Sequence, residues 1–227
     1  LKGVIPAITT PFDAAGEIDE TKFRRQIGFM LAKGVHGVCF AGSTGEGQTL
    51  DIDEFRRLTE ITVEEVAGRV PVVAGIIANS TREAIKRGRA IGDLAVDALQ
   101  ITPVHYVFTP DDESNLQHFR TICAALGRPV LLYNVVPSNL LSTQLVLRLL
   151  EEVPLVVGIK QSQGHITRVA ELVANAPKGK VILAAVDNLL YSCFSFGAHG
   201  TLAASPTGAP GPIVRLWDAV QAGDHQT

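Results

Sequence analysis

The sequence is poor in cysteine, has no strong excess of either charge and contains no long apolar run. Its three cysteines, Cys39, Cys123 and Cys193, form no CxxC pair, which argues against a disulfide framework or a paired-cysteine metal site. A formal net charge of -3 gives no reason to expect a nucleic acid or an anionic membrane as a partner. No apolar stretch is long enough to cross a bilayer. We therefore expect a soluble protein that binds neither nucleic acid nor membrane.

The start of the chain and the surroundings of the cysteines indicate in which cellular compartment the protein resides. The first residues, LKGVIPAITT, lack the longer apolar stretch of a signal peptide. An odd number of scattered cysteines in apolar surroundings is typical of reduced thiols in a core, so we expect a cytoplasmic protein. Because the chain begins without Met and stops at AGDHQT, we also expect the sequence to be incomplete.

The histidines give no metal-binding pattern. All six occur without HxH or HExxH spacing, whereas zinc and iron sites usually need histidines or carboxylates grouped in such patterns. We therefore expect no metal. Loss of activity on chelation would revive the metal-dependent alternative.

Eight short aliphatic or β-branched runs recur along the chain, separated by longer segments with helical spacing. The runs cover residues 4–10, 37–42, 70–76, 98–103, 129–135, 155–160, 180–186 and 200–205. Helix candidates such as DETKFRRQIGFMLAKG and STREAIKRGRAIGD begin at Asp or Ser and have Gly near their ends, as capping chemistry prefers. This alternation predicts a parallel sheet covered by helices.

The number of βα units favours one architecture. Eight units within roughly 200 residues close most economically into a (β/α)8 TIM barrel, and no linker or low-complexity segment divides the chain. We therefore predict a single TIM-barrel domain over residues 1–227. A doubly wound open sheet is the alternative, because one sequence determines topology only weakly.

A lysine ends the sixth run, LVVGIK. In a barrel, side chains at the C-terminal ends of strands form the active face, and Lys160 alone among the lysines closes an apolar strand. In a structural interpretation, Lys160 extends from the strand end into solvent. In a functional interpretation, it is a desolvated amine that attacks a ketone and forms a Schiff base. Position alone does not decide between the two.

Two other predicted strand ends could supply partners for such an amine. The second strand runs into AGSTGEGQTL, where Gly42 allows a tight turn with exposed N–H groups and Ser43 and Thr44 add hydroxyls, so that a carboxylate could bind. An ordinary strand-to-helix turn explains the same glycines, and the lysine of a phosphate loop is absent. The fifth strand ends at LLYNVVP, which places the phenol of Tyr133 at the same rim or, alternatively, in the core.

Five segments of the chain carry a resemblance to a known family. They are GVIPAITTPFDAAGEID, GSTGEG, LLYNVVP, VGIK and GAHGTLAA, in this order and over essentially the whole chain. Together they resemble the dihydrodipicolinate synthase and N-acetylneuraminate lyase family of Schiff-base lyases and aldolases. The resemblance implies a TIM barrel that acts on pyruvate or another 2-keto acid and an aldehyde, with no cofactor other than the imine on the lysine.

The resemblance also implies roles for individual residues. Lys160 would form the imine with the keto acid, and Tyr133 would be the general acid and base. Ser43 and Thr44 would fix the keto-acid carboxylate, and Thr44 would also link Tyr133 into a proton relay. Leu202 matches a position whose backbone carbonyl lies near the bound keto acid.

The sequence departs from the synthases in the part of the site that would bind the second substrate. Where synthases carry an arginine that grips a carboxylate, YNVVPSNLL has Asn139. A tyrosine pair that completes their relay across a subunit interface is replaced by Val104 and His105, so either His105 substitutes or Tyr106 moves over. The asparagine beyond strand eight is Thr207 here, and QSQGH lacks the usual acidic residue. We therefore expect Schiff-base chemistry with an unassigned aldehyde.

The leading prediction is a lyase or aldolase similar to dihydrodipicolinate synthase. The alternatives are an N-acetylneuraminate lyase-like enzyme, a sugar-acid aldolase or dehydratase, or a hydratase-aldolase of the same family, and a barrel that has lost catalysis. Joint retention of Lys160, Tyr133 and Thr44 argues against the last of these. The resemblance further implies a homo-oligomer, either a dimer or a tetramer, and C-terminal helices beyond the barrel that this chain does not show.

Overall fold

The computed structural model describes residues 1–226, in which eight strands alternate with helices. The strands are β1 Gly3–Pro6, β2 Val38–Phe40, β3 Val72–Ile76, β4 Ala98–Ile101, β5 Val130–Asn134, β6 Val156–Gln161, β7 Val181–Ala184 and β8 Gly200–Ala203. Almost all of their residues are buried, because one face of each strand lies under helices and the other faces the inside of the sheet. This double burial explains why the strands are continuous apolar runs.

The strands form a nearly closed parallel barrel. They pair in the order β1-β8-β7-β6-β5-β4-β3-β2, and a bridge between Ala7 and Cys39 joins β1 to β2. There the backbone N–H of Ile8 donates to the carbonyl of Cys39 at 2.8 Å. The (β/α)8 prediction is confirmed, and the open-sheet alternative is wrong.

Helices cover the outside of the barrel. They are α1 Glu20–Ala32, α2 Ile52–Val66, α3 Thr81–Ala90, α4 Asp112–Leu126, α5 Thr143–Glu152, α6 Ile166–Asn175, α7 Leu190–Ser195, α8 Ser205–Gly208 and α9 Pro210–Gln221, with short 3-10 turns at Ser43–Gly45 and Asp187–Leu189. The side chains of Asp19 and Ser80 cap α1 and α3, where the sequence predicts helix starts. Within residues 1–226, no helix is both long and apolar enough to cross a bilayer.

The core has two parts, one between strands and helices and one inside the barrel. The inner part consists of Ile5, Ala7, Cys39, Val73, Ala98, Leu131, Leu183 and Leu202. These side chains fill the barrel below its C-terminal end, so any site must lie above them, as in other barrels of this type. All three cysteines are free and buried, which confirms the prediction of core thiols.

Candidate active site

Lys160 and Tyr133 lie side by side at the C-terminal ends of neighbouring strands. Tyr133 on β5 is directly opposite Lys160 on β6, and Lys160 Nζ lies 4.1 Å from the centroid of the Tyr133 ring. Their exposed fractions are 4% for Lys160 and 3% for Tyr133. The interpretation that Lys160 extends into solvent is therefore wrong. An amine over an aromatic face is a favourable contact when the amine is charged.

An irregularity in β6 turns Lys160 towards the inside of the barrel. Val130 pairs with Val156 but Leu131 pairs with Gly158, so β6 contains one extra residue at this point. Val157 packs against the inner core and Ile159 against the outer core. Simple alternation from Val157 would make position 160 face outwards, and the bulge reverses this.

Ser43 connects the second strand end to Tyr133. Its Oγ lies 3.0 Å from the hydroxyl of Tyr133, and it begins the 3-10 turn Ser43–Gly45 that follows β2. Thr44, the residue that the family resemblance assigns to this link, makes no hydrogen bond to Tyr133 within the described chain. The structure thus brings together Lys160, Tyr133 and Ser43, with Thr44 next in sequence.

The loop that carries Ser43 is fixed by tight backbone contacts. Ala41 and Glu46 both have left-handed backbone conformations, with φ of 51° and 53°, which non-glycine residues rarely adopt and which concentrate at functional sites. A Cβ on Gly47 would lie 1.8 Å from the Ala41 carbonyl oxygen, so only glycine fits there. From the β1 side, Thr10 Oγ1 donates to the Gly45 carbonyl at 2.6 Å.

Gln100 is a buried polar residue near the site that the sequence interpretation missed. It is fully buried, its Oε1 lies 3.8 Å from Cys39 Sγ, and its Nε2 has no partner within the described residues. A Cβ on Gly42 would lie 3.4 Å from that Nε2, so Gln100 lies beneath the turn. The signal was a glutamine inside the apolar run ALQITP.

Cys39 is close enough to Lys160 for their charges to interact. Burial raises the pKa of the Cys39 thiol to about 11, and the charge of Lys160 acts in the opposite direction. A thiol of such high pKa is protonated at neutral pH and is a poor nucleophile. Cys39 is therefore part of the barrel packing.

Asn134 and Gln161 fasten the two strand ends from the outer side. Each follows a site residue in sequence, and the two are paired across β5 and β6. Asn134 Nδ2 donates to Gln161 Oε1 at 3.1 Å. The same amide donates to the Leu141 carbonyl at 3.1 Å, and its Oδ1 accepts from the Leu141 N–H at 2.9 Å. These bonds hold Tyr133 and Lys160 in register.

Asn139 is occupied in holding the loops after β4 and β5 together. It is buried, with an exposed fraction of 2%, and exchanges two hydrogen bonds of 3.0 Å with the amide of Asn115. Its Nδ2 also donates to the Val104 carbonyl at 2.8 Å. Although it stands near the arginine position of the synthases, its amide is not available for a second substrate.

His105 and Tyr106 do not complete the site within this chain. His105 Nδ1 lies 3.4 Å from the Pro103 carbonyl, and the Tyr106 side chain is 72% exposed. Neither makes a described contact with Tyr133, so neither of the predicted replacements for the relay is formed here. Both belong to a loop at the outer rim of the barrel.

The two remaining predicted positions lie on the β8 side. Leu202 is buried in the inner core and pairs with Ile5 of β1. Thr207, beyond β8, donates its hydroxyl to the Ala7 carbonyl at 2.8 Å and so ties the loop after β8 to β1. Among residues 1–226, no group of three His, Cys, Asp or Glu residues could hold a metal ion.

The fold and the site define a class of enzyme. A TIM barrel that buries a lysine against a tyrosine at its active face has residue types that can serve as nucleophile and proton carrier in a lyase. The family model described as "Dihydrodipicolinate synthetase family" matches residues 1–227. The chain belongs to this family, and it is a lyase.

Individual relatives agree with this assignment. A protein of Methylibium petroleiphilum named 4-hydroxy-tetrahydrodipicolinate synthase is 39% identical over 98% of this chain and 76% of its own length. One of the same name from Methanopyrus kandleri is 37% identical over 99% of this chain and 75% of its own. The crystal structure of YagE, a prophage protein of the dihydrodipicolinic acid synthase family from E. coli K12 in complex with pyruvate, superposes with a TM-score of 0.94 at 25% identity, covering 99% of this chain and 76% of that one.

Proposed function

We propose that the enzyme condenses pyruvate, or another 2-keto acid, with an aldehyde through an imine on Lys160, or runs the same reaction backwards. The observation that carries the proposal is the buried contact between Lys160 and Tyr133, with Ser43 bonded to the tyrosine hydroxyl. A lysine amine held at the active face of a barrel can attack a ketone and form a Schiff base. A fold-level likeness alone would not support this chemistry.

The proposed reaction begins with attack of the Lys160 amine on the ketone carbon. The carbinolamine loses water to give an imine, and the imine loses a proton from the neighbouring methyl carbon to give an enamine. The enamine carbon then bonds to the aldehyde carbon, and the aldehyde oxygen takes up a proton to become a hydroxyl. Hydrolysis of the imine releases a 4-hydroxy-2-keto acid and restores the amine, so no electron acceptor is needed.

Tyr133 is the proposed proton carrier for these steps. Its hydroxyl lies within hydrogen-bond distance of Ser43, and its ring lies against the amine that changes charge. A general acid or base must reach the proton it moves, and in this proposal the Tyr133 hydroxyl exchanges protons with the substrate atoms held on Lys160. In this proposal Ser43 takes the relay role that the family resemblance gives to Thr44.

The turn after β2 is the proposed site of the keto-acid carboxylate. Gly42, Ser43 and Thr44 lie beside Tyr133, and the first backbone N–H groups of a helical turn have no partner inside the turn. Such groups, together with the Thr44 hydroxyl, suit an anion. We propose that the Leu202 carbonyl of β8 bounds the keto-acid pocket on the side opposite this turn. We propose no cofactor beyond the covalent imine.

The activity named in the relatives, 4-hydroxy-tetrahydrodipicolinate synthase, is one form of this chemistry. The family assignment favours it. The amide of Asn139 is already hydrogen-bonded within the chain, which argues against the second substrate of those synthases. Turnover of pyruvate with aspartate semialdehyde is the direct assay for that activity.

The test of the imine is reduction with borohydride in the presence of pyruvate. We expect mass spectrometry to find the reduced pyruvate adduct on a peptide containing Lys160. Lys160→Ala should abolish turnover, and Tyr133→Phe should slow it by about 100-fold or more, the range of general acid–base catalysis. Lys180→Ala is the matched control, because Lys180 Nζ donates hydrogen bonds to the carbonyls of Pro154 and Val156 at the other end of β6. An adduct on any other lysine would refute the proposal.

We also propose that the enzyme is cytoplasmic and self-associates. Three free, buried cysteines suit a reducing compartment. The exposed apolar residues Tyr106, Val107 and Phe108 are of the kind that subunit contacts cover.

A further inference from the structure

A glutamine faces the interior of the barrel just below the candidate active site. Gln100 of β4 follows the inner-core residue Ala98 by two positions, and side chains two apart on a strand lie on the same face. Gln100 pairs with Leu131 of β5, which also belongs to the inner core. Tyr133 follows Leu131 by two positions. The amide of Gln100 therefore lies one layer of inward-facing side chains below Tyr133, among apolar neighbours.

The turn that follows β2 rests directly on this part of the barrel. Gly75 of β3 pairs with Gln100, and a Cβ on Gly75 would lie 2.6 Å from the backbone nitrogen of Gly42. From β4, Gln100 Nε2 lies 3.4 Å from the position of a Cβ on Gly42. The next residue, Ser43, lies 3.0 Å from the Tyr133 hydroxyl. Gln100 Nε2 is thus beneath the first residue of the turn where we place the keto-acid carboxylate.

The other end of the amide is held by Cys39. Gln100 Oε1 lies 3.8 Å from Cys39 Sγ, within the range of a hydrogen bond to sulfur. Because burial raises the pKa of this thiol to about 11, it keeps its proton at neutral pH and can donate to Oε1. That bond leaves Nε2 on the side of Gly42, where it is fully buried and has no partner among residues 1–226. A buried donor without an acceptor is unfavourable, so the acceptor must come from outside the described chain.

We propose that Gln100 binds the keto-acid carboxylate from below, with Nε2 as the donor, and so selects keto acids over simple ketones. Each carboxylate oxygen can accept more than one hydrogen bond, so the carboxylate can pair with the turn, with the Thr44 hydroxyl and with Gln100 together. A carboxylate that leaves water needs such donors, because its desolvation is costly. This inference rests on the proposed function, in which the imine on Lys160 holds the keto acid beside the turn.

The test measures borohydride trapping on Lys160 over a concentration series of pyruvate and, separately, of acetone, which has no carboxylate. Methionine is unbranched like glutamine but lacks the N–H donors. In Gln100→Met, we expect the half-saturating pyruvate concentration to rise about tenfold or more, the value of a hydrogen bond to a charged group. The value for acetone should change by less than about twofold. Gln117→Met, at an exposed position on α4, is the matched control and should change neither value.

A second measurement detects the contact in the wild-type protein. In protein labelled with 15N-glutamine, the side-chain amide signals of Gln100 are assigned by their absence in Gln100→Met or in Gln100→Glu, which keeps the shape of the side chain. Pyruvate should shift one Nε2 proton downfield, because it enters a hydrogen bond to a carboxylate, and acetone should not. A distorted turn in the variants could not produce this shift.

Three results would overturn the role of Gln100. They are an unchanged pyruvate dependence in Gln100→Met, an equal loss of pyruvate and acetone trapping, and the absence of a pyruvate-specific shift of the Nε2 proton. If wild-type protein forms the adduct on Lys160, any of these results refutes only this inference. Absence of the adduct in wild-type protein refutes the imine and this inference together.

Discussion

At the scale of single residues, the proposed proton transfer depends on which hydroxyl reaches Tyr133. The 3-10 turn after β2 directs Ser43 at the phenol, 3.0 Å away, and Thr44 follows on the next step of the turn. Neighbouring residues in so tight a turn point in clearly different directions. Two adjacent residues of similar chemistry can therefore have separate roles, with Ser43 in proton transfer and Thr44 at the carboxylate.

This division predicts different kinetics for the two hydroxyls. Ser43→Ala should lower kcat by about tenfold or more, because it removes a partner of the general acid and base. Thr44→Val should mainly raise KM for pyruvate, because it removes binding energy common to ground and transition states. Steady-state kinetics over a pH series would separate the two, since the loss in Ser43→Ala should change with pH. A larger fall in kcat for Thr44→Val would restore the original assignment.

Residue-scale features divide into those that strand patterns reveal and those that need tertiary contacts. Lys160 and Tyr133 could be found because each ends an apolar run, and strand ends meet at one face of a barrel. The roles of Ser43 and Asn139 could not. The direction of Ser43 depends on the left-handed conformations that flank its turn, and the partner of Asn139 is an amide 24 residues away.

At the scale of elements, six of the eight strands end before their apolar runs do. The first run covers 4–10, but β1 ends at Pro6, because the following residues serve the rim: Thr10 donates to the Gly45 carbonyl. The bulge in β6, in contrast, changes the direction of side chains without changing the apolar pattern. LVVGIK looks like one uninterrupted strand, and the extra residue becomes visible only in its pairing with β5. Sequence patterns thus predict where a strand exists better than where its side chains point.

A buried histidine joins three elements near the face of the barrel. His118 of α4 lies 2.9 Å from Thr81 Oγ1 at the start of α3 and 3.3 Å from the Thr102 carbonyl beyond β4. The carbonyl can only accept, so Nε2 carries the proton and Nδ1 accepts from Thr81. This pairing suits the neutral ring. Burial lowers the pKa of His118 from 6.5 to about 4.

The lowered pKa predicts a specific pH dependence of stability. The unfolded state binds a proton at His118 below pH 6.5, whereas the folded state does so only near pH 4. The contribution of neutral His118 to the free energy of unfolding is therefore fully present above pH 6.5 and is lost as the pH falls towards 4. The loss is at most about 3 kcal/mol. His118→Gln should remove this part of the pH dependence in urea unfolding at pH 7.5 and pH 5. His165→Gln, at an exposed position, is the control, and equal slopes in wild type and His118→Gln would contradict the prediction.

At the scale of the whole molecule, ion pairs join the outer helices. Arg57 pairs with Glu20 between α2 and α1 at 2.6 Å, and Arg148 of α5 pairs with Glu113 of α4. Their side chains are largely exposed, and exposed pairs contribute only about 0–1 kcal/mol each. The barrel is held mainly by its two apolar cores, and the charged outer ring keeps most of the surface hydrophilic.

One part of the rim departs from this hydrophilic surface. Tyr106, Val107 and Phe108 are 72%, 74% and 77% exposed, and Leu140 in the loop after β5 is 40% exposed. Thr109 Oγ1 donates to the Ser138 carbonyl at 2.9 Å, which joins these loops into one surface. Consecutive apolar residues at such exposure are typical of a subunit contact. Because His105 precedes this surface, a contact there would also cover the edge of the site.

Self-association through this surface predicts a change in mass on substitution. Wild-type protein should sediment as a dimer or tetramer at micromolar concentration, and Phe108→Asp should shift it towards monomer, because a charge in an apolar contact is left unpaired. Phe29→Asp is the matched control, since Phe29 is a half-exposed phenylalanine on α1, away from these loops. If the contact orders the rim, Phe108→Asp should also lower kcat/KM for the aldehyde more than the yield of the borohydride-trapped adduct. A wild-type monomer, or the same mass shift in Phe29→Asp, would contradict the assignment of the interface to this surface.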